Sequence, residues 1–493
     1  MRKILLAFPI ILSVSALILA SCLRQQAASL DGGYPIEVAK IIIKKCTNAG
    51  CHNAQDKAQA AGLDLSNWNA CFEGTQSHES VVIPYYPMES HLFMHCNSYP
   101  DIGEQIAPRM PLNQAPLSRP EMKVLEDWIM QGARDKYGRL PYSDQASRSK
   151  IYVTNQGCDR VAVLDANTRL LMRYISVGTS SAVEGPHKVV LSNDGKFAYV
   201  LLSADGVLEK IDAQTDELIG SASFGAGNWV NFVLTKDGKT AFVLDSQNDG
   251  KVVVINLNSM LDVKYYSGTG LFVLPHGLCL SPDDKTLYVL PSGANFLYKM
   301  DVSDPLNPQL PLQISLVPGA SPSFSAMDNL NFHEIAFSPD GTKFFVNTQL
   351  RNDVRVFNTK NDSLLAILPV AAYPQEFAFS KRFPYLFVSC MLDSSCGGKE
   401  CLGAVSIIDY NNLTVVKTLN QGFYQPHGLV VDDANYRVFV ANRNLDVKGP
   451  LPHHSAACLG RNGFISSFQL NNFSIENYHV DLSVDPYSVA IRH

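Results

Sequence analysis

From about residue 150 onward, apolar and polar positions alternate in short runs, and the runs recur with a period of about forty residues. Each unit opens with a short apolar stretch, turns at an Asp-Gly type signal, and continues with two or three more strands. The opening stretches run 188–192, 231–235, 277–281, 334–338, 376–380 and 428–432. Asn193-Asp194-Gly195, Lys236-Asp237-Gly238, Pro282-Asp283-Asp284 and Pro339-Asp340-Gly341 supply the positive-φ positions that tight hairpins need. That makes six full units and predicts a seventh that is split. Residues 149–178 contain three strands without an opening one, and Ser488 to Arg492 at the C-terminus provides it. Closing a ring with both ends of the chain removes free sheet edges.

Before residue 150 the pattern changes. Val38, Ile41 and Ile42 fall at helical spacing within Ile36 to Lys45. Leu125, Trp128 and Ile129 do the same within Arg119 to Ala133, with Ser118 as a candidate N-cap. At the start, Arg2 and Lys3 precede an apolar run from Ile4 to Ala20. These elements predict a β-rich repeat unit, a smaller helical unit before it, and a leader.

Tyr152-Val153-Thr154-Asn155 lies in the split unit. It resembles the signature of the YVTN family of β-propellers, and the resemblance spans 150–493. It implies a seven-bladed propeller. That superfamily is similar to the haem d1 propeller of nitrite reductase and the copper propeller of nitrous oxide reductase, but fold alone transfers neither activity.

The smaller unit contains Cys46-Thr47-Asn48-Ala49-Gly50-Cys51-His52. Covalent haem attachment needs two thiols for thioether bonds and a histidine after the second for the iron. The spacing here is C-x4-C-H, longer than the usual C-x-x-C-H. Arg109-Met110-Pro111 follows downstream, and thioether ligation by such a methionine favours reduced iron. Gly62-Leu63-Asp64-Leu65, Ser90-His91-Leu92-Phe93 and the closing Trp128-Ile129-Met130-Gln131-Gly132-Ala133 extend the likeness. Together they resemble small class I c-type cytochromes. The resemblance implies haem c on Cys46 and Cys51, with His52 as proximal and Met110 as distal ligand; His91 or His95 is the alternative distal ligand. The fold expected is a small all-α cytochrome c domain over 36–140 followed by an all-β seven-bladed propeller over 150–493.

Leu19-Ala20-Ser21-Cys22 resembles a bacterial lipobox. It implies a signal peptide over 1–21, lipidation of Cys22 and a tether over 22–35. Leu23 and Arg24 lack the aspartate of inner-membrane retention, so an exported, outer-membrane lipoprotein is expected, on the periplasmic or the surface face.

Aligning the opening strands gives a ring of His187, Val230, His276, His333, Gln375, His427 and Tyr487 around the expected channel mouth. Imidazoles converging on an axis can bind copper, iron or zinc. They can equally hydrogen-bond to adjacent blades. Eleven cysteines in an exported chain permit disulfides. Cys71 with Cys96 is the expected pair, and Cys279 is expected as a buried thiol; Cys158 with Cys458 and Cys396 with Cys401 are two pairings open to Cys158, Cys390, Cys396, Cys401 and Cys458, whose connectivity the sequence leaves undetermined. A cap over one side of the channel, including His453 and His454, follows from the loops carrying these residues.

Composition narrows the function. Charged residues are 17% of the chain and the net charge is −6, which offers no basic surface for nucleic acid. No nucleophile elbow, phosphate loop or zinc-protease helix occurs. Three readings remain. The first is a haem-c electron-transfer lipoprotein whose propeller recognises a redox protein partner. The second is an oxidoreductase with a second metal or a substrate at the channel. The third is a surface binding or adhesion module.

Overall fold

The computed structural model describes residues 31–325, 327, 329–392, 402–456 and 458–493. Residues 150–493 form a seven-bladed β-propeller of seven four-stranded antiparallel sheets. The opening strands are Pro186–Leu191, Trp229–Leu234, Pro275–Leu280, Phe332–Phe337, Pro374–Phe379, Pro426–Asp432 and Pro486–Arg492, here numbered blades one to seven. The seventh blade is split as the repeat predicts: Pro486–Arg492 pairs with Lys150–Asn155, which leads on to Arg160–Asp165 and Leu171–Ser176.

Burial explains the composition of each strand. Second and third strands such as Lys150–Asn155 and Lys251–Asn256 are covered on both faces by neighbouring blades and are almost wholly buried. They are therefore continuous runs of Val, Ile, Leu and aromatics. Outermost strands such as Glu217–Ser223 and Leu261–Tyr266 are largely exposed. The hairpins repeat one device: Ser192, Thr235, Ser281 and Ser338 each donate a hydroxyl to an aspartate two residues on, at 2.6–2.7 Å. In the first of these turns Gly195 takes φ +67°, which a side chain would resist.

The N-terminal unit departs from the expected all-α cytochrome c domain. Its helices are α1 (Ile36–Lys45), α2 (Trp68–Cys71), α3 (His91–Cys96) and α4 (Arg119–Met130), of ten, four, six and twelve residues. The chain as a whole is nearly all β. The reason is local. Helical periodicity covers α1 and α4, whereas the segments between them satisfy their backbone through side chains. Asp64 Oδ1 accepts from the Ser66 N–H at 2.8 Å, the Ser90 hydroxyl donates to the Tyr86 carbonyl at 2.8 Å, and Asn97 Nδ2 donates to the Gly103 carbonyl at 2.9 Å. Such bonds compete with helix formation. The unit still has one core, built on Tyr34, Ile42, Phe93, Trp128 and Ile129. Ser118 caps α4 as expected, in a capping box with Glu121.

The unit docks on the split blade. Arg160 pairs with the buried Glu89 and stacks on Tyr86, 4.5 Å from its ring centroid. Arg173 donates to the Pro141 carbonyl at 2.8 Å. Among the described residues no helix is long and apolar enough to cross a membrane. The signal peptide, most of the tether and Cys22 lie outside the described residues, as do Cys396 and Cys401.

Candidate functional site

The Cys46–His52 loop begins where α1 ends, and Cys46 is the C-cap. The loop closes on itself: the His52 N–H donates to the Cys46 carbonyl at 3.0 Å. Asn53 Nδ2 donates to the Asn48 carbonyl and to Asp56 Oδ2, both at 2.9 Å, and Asp56 also accepts from the Gly50 N–H at 2.7 Å. Cys46 and Cys51 are both free thiols. Burial, and then the neighbouring Cys51, push the Cys46 thiol up to about 12. Burial lowers the His52 pKa, and the carbonyls of Leu63 and Ala60 oppose that shift. Its Nδ1 is buried and makes no hydrogen bond. Met110 packs half-buried on the core of the unit, and its N–H donates to the His95 carbonyl at 2.9 Å. His95 Nδ1 is bonded to the Pro108 carbonyl at 2.8 Å, and His95 stands near enough to His52 to lower its pKa. The fold thus brings Met110 and His95 to one place.

Cys71 and Cys96 do not pair as expected; both are buried free thiols. Each ends a short core helix, α2 or α3, and Cys71 bonds to the Tyr34 side chain. The Cys158–Cys458 disulfide is present and ties the split blade to the loop of blade six. Cys279 is a free thiol, half-buried in its strand.

The ring positions do converge. Ring centroids of His276 and His333 are 4.3 Å apart, those of His333 and His427 5.4 Å, and His427 stacks on Tyr487 at 3.6 Å. His187 lies 4.5 Å from Tyr487. The convergence has a backbone cause. In every blade the register of the opening strand shifts immediately after its first residue, a bulge that re-aims the next side chain. In six blades a positive-φ residue precedes the strand: Gly185, Leu274, Asn331, Tyr373, Gln425 and Asp485.

Each imidazole reaches the matching residue of the next blade. Nδ1 of His276 donates to the His333 carbonyl at 3.0 Å, Nδ1 of His333 to the Gln375 carbonyl at 3.1 Å, and Nδ1 of His427 to the Tyr487 carbonyl at 3.3 Å. His187 faces the Val230 carbonyl in the same sense, although its Nδ1 falls short of a full hydrogen bond. Donation at Nδ1 fixes the tautomer and leaves Nε2 as a bare acceptor. Burial first, and other cationic side chains second, depress the pKa of His187 to about 3 and those of His333 and His427 well below the usual range. The ring is therefore neutral at pH 7. Of the two uses open to it in sequence, hydrogen bonding to adjacent blades accounts for the Nδ1 atoms of His276, His333 and His427. No three His, Cys, Asp or Glu side chains among the described residues are arranged to hold a metal ion.

Sequence reading missed the position one residue further along. Lys188 and Glu334 line a channel cavity of about 730 Å³ with Cys279. Lys188 Nζ is 3.7 Å from Glu334 Oε2, and Glu376 adds its charge to both. Burial, partly offset by Lys188, raises the Glu334 carboxyl to about 7. The available signal was a charge at this register of an otherwise apolar strand, where blades three and six carry Gly277 and Gly428.

No family model matches this chain, and no curated protein matches it. Among solved structures it is similar to a functionally unknown protein from Desulfotomaculum acetoxidans DSM 771, at 14% identity and a TM-score of 0.53, covering 70% of this chain and 99% of that one. A weaker likeness is to Kuenenia stuttgartiensis hydrazine synthase, at 16% identity and a TM-score of 0.44, covering 60% and 79%. The first likeness supports the propeller fold and nothing finer.

Proposed function

We propose that this chain is an electron-transfer protein whose propeller serves as a rigid platform for a redox partner. The observation that carries the reading is the pairing of two free thiols, Cys46 and Cys51, with an adjoining histidine whose buried Nδ1 has no partner. Cys46 and Cys51 would hold haem c through thioether bonds, and His52 and Met110 would bind its iron. When bound, haem c supplies reversible one-electron transfer. The chain does the rest. Asn53 and Asp56 hold the loop that spaces the thiols. The Leu63 and Ala60 carbonyls stand beside the His52 ring and oppose the lowering of its pKa by burial. The core around Phe93 and Ile129 excludes water.

In this reading the chain is exported and held at the outer membrane through lipidated Cys22. The Cys158–Cys458 disulfide favours an oxidising compartment. The test is a pyridine haemochrome spectrum with iron analysis on chain matured in a host that attaches haem c. One covalent haem per chain is expected, lost in Cys46→Ala/Cys51→Ala. An unchanged, haem-free wild-type chain would overturn the reading.

One observation favours a second reading, an oxidoreductase with a metal at the channel ring: Nε2 of His427 is buried without a partner. Copper or another non-haem metal, lost in His427→Ala, would put that reading first.

A further inference from the structure

Where the N-terminal unit meets blade six, the fold gathers four imidazoles that belong neither to the channel ring nor to the Cys46–His52 loop. His91 and His95 lie one turn apart on α3. His453 and His454 come from the loop that precedes the strand Asn462–Gln469. His91 is the hub. Its ring centroid is 6.3 Å from His95, 6.1 Å from His453 and 5.8 Å from His454. Glu79 completes the group, with Oε2 3.9 Å from His91 Nδ1 and Oε1 3.8 Å from His453 Nδ1. A cavity of about 30 Å³ lies between these side chains.

Two features set this cluster apart from ordinary surface histidines. Among the described residues Nε2 of all four rings makes no hydrogen bond, while Nδ1 of His95 and His454 is engaged by the Pro108 and Ser455 carbonyls at 2.8 and 3.0 Å. An outer partner on one ring nitrogen leaves the other as ligand. The loop is also braced from below: Asp481 accepts the His453 N–H at 2.7 Å, and Glu104 accepts the Ser455 N–H at 2.8 Å.

We propose that His91, His453 and His454, with Glu79 as a fourth ligand, form a site for a divalent first-row transition metal ion that ties the N-terminal unit to the propeller. Three imidazoles and one carboxylate suit zinc or copper. As they stand, the side chains are not at ligating distances around one point. Two imidazoles on a tetrahedral ion have centroids roughly 5 Å apart. His453 is 53% exposed, and ligation requires its ring to turn toward His91. His95 is left out because it stands beside His52. The site is compatible with haem on Cys46 and Cys51 when Met110 or His95, and not His91, is the distal ligand.

The test is zinc binding by the full chain, followed by calorimetry with Zn²⁺ alone and by zinc content after dialysis. The expected result is one tightly held zinc per chain, with affinity lost at least about 100-fold in His453→Ala/His454→Ala. Both residues lie on a loop, so that variant retains the fold, and Glu79→Gln gives a smaller loss in the same direction. A wild-type chain that retains no zinc, or a double variant that retains it equally, overturns the proposal.

Discussion

Nδ1 of His276 donates to the main-chain carbonyl of His333, its counterpart at the same register of the next blade. The same reach is repeated from His333 to Gln375 and from His427 to Tyr487. In blade two, where Val230 holds the ring position, the next residue makes the link: Asn231 Nδ2 donates to the His276 carbonyl at 3.3 Å. The channel mouth thus carries a partial belt of side-chain to main-chain bonds that fasten blades two, three, four and six each to the blade after it.

Removing one link exposes its worth. His333→Ala removes one of the two donors to the buried Gln375 carbonyl, the other being Asn347 Nδ2, and opens a void beside His276. A loss of about 1–3 kcal/mol in unfolding free energy is expected, read from the urea midpoint. A stability equal to wild type would show the belt to be incidental.

The belt also sets a pH dependence. His187, His276, His333 and His427 all have folded-state pKa values below their unfolded values. The unfolded chain therefore binds more protons, and stability rises with pH in that window. The stabilisation is fully present above about pH 6.5 and is lost as pH falls toward the folded values, near 3 for His187. Each buried ring withdraws up to about 1.4 kcal/mol per pH unit. Denaturation midpoints measured from pH 7.5 down to pH 4 should fall steeply, and less steeply in His187→Gln.

Glu209 acts in the opposite sense. Burial raises its carboxyl to about 7, with Glu184 and Asp159 adding to the shift, while the Gly178 N–H opposes it from 3.0 Å. Its folded state binds the extra proton, so stability falls as pH rises between about 4.5 and 7. Glu209→Gln keeps an oxygen for the Gly178 N–H and removes the charge. The variant should be more stable than wild type at pH 8 by about 1–3 kcal/mol and indistinguishable at pH 4. Calorimetric scans at the two pH values decide it.

The Cys158–Cys458 disulfide joins residues 300 apart in sequence and braces the loop of blade six against the split blade. Cys158→Ser/Cys458→Ser should lower stability by about 2–5 kcal/mol. Guanidinium midpoints with and without reductant provide the measurement, and the double variant should no longer respond to reductant.

Docking of the N-terminal unit depends on Arg160 and Glu89. The Glu89 side chain is 6% exposed, and its guanidinium partner lies between Tyr86 and Tyr174. Glu89→Ala leaves a buried guanidinium unpaired, at a cost of about 3–5 kcal/mol. Limited proteolysis should then cut the connection between the two units, near residues 143–149, faster than in wild type.

By itself the sequence determined the blade count, the split blade and the ring register. Those features follow from strand alternation, turn residues and the proline at the start of most opening strands, all of which act within a few residues. It also placed the N-cap of α4 at Ser118. Tertiary structure decided what depended on distant chain segments. Between α1 and α4 the side chains of Asp64, Ser90 and Asn97 take the backbone hydrogen bonds, so the unit is loop-rich rather than all-α. Cys71 and Cys96 share a core without joining, because each thiol's surroundings are set by how the short helices pack. Lys188 meets Glu334, and His91 meets His453, once the ring closes and the N-terminal unit docks on it. Local pattern encodes where a strand begins; the circumference of the closed ring and the seat of the docked unit decide which side chains meet.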